Sequence, residues 1–140
     1  MKINISKASE KELKKFDRKA WHKADIEHYG RSIRWISKPI IFKAIEKGKI
    51  VGRINAKYDA GVVYIEGLIV AEGKRGQGIG RKLMEKVEKT GNRLGAHKIF
   101  LFTMEKWDSV KFYRSLGFKK TGNLPKHYHK RNFVIYSKMI

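Results

Sequence analysis

The run Arg75-Gly76-Gln77-Gly78-Ile79-Gly80 is the stretch of this chain best suited to hold an anion. Its glycines let the backbone approach a phosphate, and its arginine adds a fixed positive charge with planar donors. The flanks matter as much. Before it, Val62, Val63, Ile65, Leu68, Ile69 and Val70 form a β-rich run of strand length. After it, Ile79, Leu83, Met84, Val87 and Leu94 recur at helical spacing. A strand passing through glycines into a helix start presents unpaired N–H groups, and an anion satisfies them. A plain strand-to-helix turn would use the same glycines, so the turn alone does not decide. No Lys-Ser or Lys-Thr pair follows the last glycine, which excludes a P-loop. The spacing G-x-G-x-G also differs from the dinucleotide fingerprint.

The pattern Arg-x-x-Gly-x-Gly, with Val70 five residues before the arginine, resembles the acetyl-CoA signature of the GNAT superfamily of N-acetyltransferases. The resemblance implies that Leu68, Ile69, Val70, Arg75, Gly76, Gln77, Gly78, Ile79, Gly80 and Arg81 bind acetyl-CoA. It also implies that the Val70 N–H donates to the thioester oxygen. A second segment, Val110-Lys111-Phe112-Tyr113-Arg114-Ser115-Leu116-Gly117-Phe118, resembles the family's motif ending Tyr-x-x-x-Gly-Phe. By that resemblance Tyr113 protonates the departing CoA thiolate. From its residues alone it would be a core-edge aromatic beside Phe112 and Phe118. The chain departs from the family at Lys106, where an Asn often stands seven residues before this Tyr. Val62 to Phe118 carry the specific resemblance; the first 60 residues match in order only.

Acetyl transfer needs a neutral amine, a polarised thioester and a leaving thiolate. Period-2 alternation puts Glu66 on the strand face of Tyr64, Leu68 and Val70. Its carboxylate would accept the amine's proton, directly or through water. The competing reading is a partly buried carboxylate paired with Lys or Arg. Substrate specificity is expected in the loops 21–34 and 123–131. Their acceptor-site candidates are His28, Tyr29, His127 and Tyr128, with Tyr64 from the strand; His22 is a further candidate. His127 and His129 would share one side of an extended segment, but no further ligand completes a metal site, so no metal is expected. His97 reads as an ordinary surface histidine.

These residues need elements to hold them. Lys2–Ser6 reads as a first strand, and Ser9-x-x-Glu12 is a capping box opening a helix that ends near Trp21. A loop with a short second helix follows. Residues 39–58 form a hairpin turning at Lys47-Gly48, and Asp59-Ala60-Gly61 turns into the central strand. Gly95 stops the central helix, and residues 97–104 are the next strand. Asp108 or Ser109 caps a helix with Tyr113 near its start; Gly117 ends it, and Phe133–Tyr136 closes the sheet. The order β-α-α-β-β-β-α-β-α-β-β predicts an α+β fold, similar to the GNAT fold. Its sheet is mixed and mostly antiparallel, with helices on both faces. The expectation is one N-acetyltransferase domain over 1–140, with no linker.

Composition fits this. The 140 residues are 41% hydrophobic and 33% charged, with no cysteine, which excludes disulfide and thiolate chemistry. No apolar run reaches membrane length, and the start turns charged within a few residues, unlike a secretory signal; a cytoplasmic protein is the default. The net charge of +20 attracts anions: CoA, nucleic acid or ribosomes, or an anionic surface. A Lys-rich solvated surface gives the same number. The leading function is N-acetyl transfer from acetyl-CoA to an unidentified amine, of a small molecule or a protein. The alternatives are a nucleic-acid or ribosome-associated basic protein, supported by charge alone, and a non-catalytic acyl-CoA binder.

Overall fold

The structure, a computed structural model, describes residues 2–140. It divides into two compact units, the first ending at Trp35 and the second spanning Ile36–Ile140. The sequence gives no composition shift at that boundary, and no linker was expected there.

The first unit is built on helix α1 (Glu10–Tyr29). The capping box forms: Ser9 Oγ accepts from the Glu12 N–H at 3.3 Å, and the Glu12 carboxylate accepts from the Ser9 N–H at 2.9 Å. These bonds from Ser9 hold the Glu12 carboxyl below its ordinary range. Gly30, left-handed at φ 73°, closes the helix through its N–H to Ile26 O. Two expectations are corrected. Trp21–Tyr29 continue one helix and do not form a loop with a second helix. Among the residues of α1 only Asp25 is buried, so no apolar stripe marks the period. Lys2–Ser6 is not a strand: Ile3 and Ile5 are 80% and 94% exposed and pair with nothing.

The second unit begins with an antiparallel meander of β1 (Ser37–Glu46), β2 (Lys49–Asp59) and β3 (Val62–Val70). Helix α2 (Ile79–Leu94) crosses to β4 (Lys98–Met104), so β3 and β4 are parallel, as expected of a helical crossover. Helix α3 (Ser109–Ser115), β5 (Lys119–Leu124), a 3₁₀ turn (Tyr128–Lys130) and β6 (Phe133–Met139) complete it. The sheet order is β1-β2-β3-β4-β6-β5. Tyr113 lies in the last turn of α3 and not near its start, because this helix has only seven residues.

Ile54, Val63, Ile65, Ile99, Leu101 and Tyr136 build the core under Leu83, Met84 and Val87 of α2. A β-carbon on Gly91 would meet Val63 Cγ2 at 2.9 Å, so this mid-helix glycine lets α2 lie close on β3. Helix α3 joins the same face, where Thr103 of β4 hydrogen-bonds Ser109 at 2.7 Å. Phe100 and Phe102 point to the opposite face, with Tyr64 stacked on Phe100.

Candidate active site

The site starts from an irregularity in pairing. Across β2 and β3, Asn55 faces Gly67 but Ala56 faces Ile65, so Glu66 has no partner and forms a β-bulge. The bulge has two consequences. Side-chain alternation slips by one residue beyond it. Val63, Ile65, Leu68 and Val70 therefore share the helix-bearing face with Tyr58, Ala56, Ile54 and Gly52 opposite them. Leu68 and Val70 thus do not share a face with Tyr64, contrary to simple alternation. The second consequence is a gap. β3 and β4 pair only at Val62/Lys98, Val63/Ile99 and Tyr64/Phe100. Beyond the bulge β3 runs on to Val70, and β4 to Met104, without pairing to each other.

The gap is lined by main-chain groups. Ala71 donates to Val51 O at 2.8 Å, which makes Val70/Gly52 a non-hydrogen-bonded pair. The N–H and C=O of Val70, and of Leu68 two residues earlier, therefore project towards the edge that β4 has left. Arg75 Nε donates to Val70 O at 3.2 Å. Ile69 differs: its main chain faces Arg53 of β2, and its side chain is 64% exposed.

The glycine loop lies at the end of this edge. Gly76 and Gly78 have φ of 78° and 82°, with open space where a β-carbon would stand. Gly78 is the N-cap of α2 and provides no side-chain cap; Lys82 donates to its carbonyl at 3.0 Å. The N–H groups of Ile79, Gly80 and Arg81 thus precede the helix's own bonds. The first turn holds no acid. Left-handed backbone, free N–H groups and the positive helix end together suit this turn to an anion. The exposed side chains of Arg75, Gln77 and Arg81 surround it. Gly80 serves packing: a β-carbon there would stand 3.2 Å from Phe112 Cζ and 3.9 Å from Val70 Cγ2. Lys74 ties the loop to β1 through Glu46 at 2.9 Å.

Tyr113 follows Phe112 and packs edge-on against it and Phe118, at 5.1 and 5.8 Å between centroids. Burial pushes its phenol up to about 12. Arg81 Nη2 reaches Ser115 Oγ at 3.3 Å, linking α2 to the end of α3. Lys106 is exposed in the turn before α3.

Glu66 is exposed on its bulge and joins none of the ion pairs among the described residues. The reading of a partly buried, ion-paired carboxylate does not hold. Tyr64 stacks on Phe100 at 4.9 Å and leans on Phe102 at 5.3 Å. Phe102 meets His127, which packs on Tyr128 at 4.2 Å and on Phe133. Desolvation raises the Tyr64 phenol, and Tyr128 and Glu66 raise it further by charge. Tyr64, Tyr128, His127 and Glu66 thus gather in one neighbourhood. Phe100 and Phe102 were missed as site residues; their alternate spacing in the run 97–104 was the available signal. His127 Nε2 is buried without a partner. His127 and His129 do not share an extended segment, because Tyr128–Lys130 turns. Among the described residues no cluster of three or more His, Asp or Glu suits a metal. His28 and Tyr29 belong to the first unit, where His28 Nδ1 donates to Ala24 O at 2.7 Å and Tyr29 meets Trp35 edge-on at 6.1 Å.

Comparison with known proteins decides the family. The sequence model of the Acetyltransferase (GNAT) family matches residues 8–118. The chain belongs to the GNAT acetyltransferase family. An acetyltransferase from Agrobacterium fabrum is 30% identical over 79 residues, 56% of this chain and 57% of its own length. This GNAT chain therefore spans little more than half of that curated relative. An acetyltransferase structure from Bacillus cereus covers 99% of the chain and 98% of its own, with TM-score 0.76 and 18% identity, and shares the fold. Arabidopsis thaliana Naa50, in complex with the bisubstrate analogue CoA-Ac-MVNAL, has TM-score 0.65 and 27% identity over 71% of this chain and 72% of its own. The GNAT match ends at Phe118, so His127, Tyr128 and Phe133 of the aromatic cluster lie beyond it. Among the described residues of this GNAT chain no helix is long and apolar enough to cross a membrane.

Proposed function

We propose that this chain is an N-acetyltransferase that moves an acetyl group directly from acetyl-CoA to a primary amine, with residues 1–140 acting as one catalytic domain. The family match over residues 8–118 takes in parts of both units, which supports treating them as one domain. The observation that carries the function is the gap beyond the Glu66 bulge, whose exposed strand edge leads into an uncapped helix start.

Acetyl-CoA fits these features. The left-handed Gly76 and Gly78 and the first N–H groups of α2 suit a pyrophosphate, with Arg75 and Arg81 adding charge. The edge groups of Leu68 and Val70 suit the amides of a pantetheine arm, which would add to β3 as a short strand. Ile69 would contribute its side chain and not its main chain. The nucleophilic nitrogen forms a bond to the acetyl carbon, and the carbonyl electrons move onto oxygen. The Val70 N–H stabilises that oxyanion. Collapse breaks the C–S bond; sulfur leaves with the electron pair and takes the hydroxyl proton of Tyr113. Glu66 takes the proton lost by nitrogen, directly or through water. His127, Tyr128 and Tyr64 border the acceptor.

A cytoplasmic location accords with this donor. Binding of nucleic acid has only the +20 charge in its favour. The test is thiol release from acetyl-CoA across a panel of amines, with mass detection of the acetylated product. Saturable CoA binding without transfer to any amine would leave the non-catalytic reading; binding of RNA alone would favour the basic binding protein.

A further inference from the structure

We propose that the first unit carries a binding site for an organic ammonium ion, built from Trp21, Asp25, Tyr29 and Trp35. A cavity of about 480 Å³ opens there, lined by Trp21, Ala24, Asp25, His28, Tyr29 and Trp35. That volume lies in the range of small-molecule sites, roughly 300–1,000 Å³.

The chemistry of the lining selects the ligand. Asp25 is 7% exposed, the one buried acidic residue among those described. Trp35 Nε1 donates to its Oδ2 at 2.9 Å, and no lysine, arginine or histidine of the described residues pairs with it. A buried carboxylate with a single neutral donor is short of positive charge. Around it stand three large rings left open: Trp21, Tyr29 and Trp35 are 62%, 57% and 54% exposed. Positions 21, 25, 28 and 29 recur on one face of α1, and Trp35 folds back against that face through its bond to Asp25. Aromatic faces attract cations through their quadrupole and suit alkylated ammonium heads, which shed water cheaply. A metal ion is disfavoured, because a single carboxylate is far short of an oxygen cage. The indole bond to Asp25 orients the ring and carboxylate before any ligand arrives.

The site does not depend on acetyl transfer, so its test uses no acetyl-CoA. Tetramethylammonium chloride is titrated against the whole chain at constant ionic strength, and tryptophan fluorescence is read. The expected result is a saturable change that an equal series of sodium chloride does not produce. Asp25→Asn keeps an acceptor for the indole and removes the charge. It should weaken binding at least tenfold, roughly the loss of one desolvated ion pair. Helical circular dichroism reports whether that variant folds. If it does not, the exposed Trp21→Ala decides, and it should weaken binding several-fold. No saturable response from the intact chain would overturn the proposal. So would an equal response to sodium, or unchanged affinity in the folded variants. A response that tracks protein concentration, with tetramethylammonium dissociating a dimer, would mean that a lysine of a second copy occupies the cage, and would overturn a small-molecule site.

Discussion

Gly80 and Phe112 stand so close that a β-carbon on the glycine would lie 3.2 Å from the ring carbon Cζ. This contact brings α3, and with it Tyr113, to the start of α2. Gly80→Ala would press on the ring by a few tenths of an ångström, while alanine favours the helix by up to about 1 kcal/mol. Net stability should change by less than about 1 kcal/mol. Turnover should fall several-fold as Tyr113 shifts. Thermal unfolding and initial rates separate the two, and unchanged turnover would dissociate the contact from catalysis.

Tyr113→Phe keeps the ring and removes the hydroxyl. With chemistry rate-limiting, turnover should drop by roughly 10²–10⁴-fold, the usual cost of a general acid. Affinity for acetyl-CoA should hold. Near-normal turnover would remove Tyr113 as the acid and direct attention to water or His127.

The same phenol makes a prediction about stability. An unfolded tyrosine titrates near 10, and burial raises Tyr113 to about 12. The folded state therefore holds this proton more tightly. The contribution is complete below pH 10 and is lost as pH rises through about 12, amounting to roughly 2–3 kcal/mol. Denaturant midpoints over this alkaline window should fall more steeply for the wild type than for Tyr113→Phe. Parallel slopes would show that another group controls alkaline unfolding.

Arg81→Glu tests the proposed anion site without weakening the helix. A glutamate in the first turn of α2 gains about 0.3–1 kcal/mol from the helix end, set against the lost bond to Ser115. Stability should stay near the wild-type value, while affinity for CoA falls at least tenfold. Calorimetry with CoA and with dephosphorylated pantetheine checks this, because pantetheine should be nearly insensitive. Equal losses for both ligands would move the phosphate site elsewhere.

Glu66→Gln should remove the acidic limb of the rate profile for an amine that is largely protonated at assay pH. An amine already neutral should respond little. A limb that persists unchanged excludes Glu66 as the base.

The central part of this architecture was legible because strong local signals agree there. The alternating strand, the glycines and the helical period of Leu83, Met84 and Val87 all lie within one run. The bulge was not legible. It depends on β2 offering one residue where β3 offers two, and no local pattern around Glu66 records that. The left-handed φ of Gly78 was equally hidden. It rules out Gly78→Leu as a clean test of phosphate binding, since a branched side chain would be strained there whatever its surroundings. The full length of α1 is not legible from periodicity, because a helical period needs a buried stripe and here burial is confined to Asp25. Ile3 and Ile5 alternate as a strand should, but a strand also needs a neighbouring edge. The cage around Asp25 is not legible in the sequence, because its residues lie in a stretch without a clean period.

The three rungs between β3 and β4 have a consequence for amide exchange and for folding order. β1 to β3 close through tight hairpins, and β4 to β6 through antiparallel pairing, so each half of the sheet assembles largely from its own contacts. The seam between them needs the α2 crossover and should be the last part of the sheet to gain protection in pulsed amide exchange. The amides of Leu68 and Val70 sit in a strand yet should exchange with solvent like those of a loop. A ligand lying in the gap would supply the missing rungs, and its arrival should be visible first as slowed exchange at these two positions.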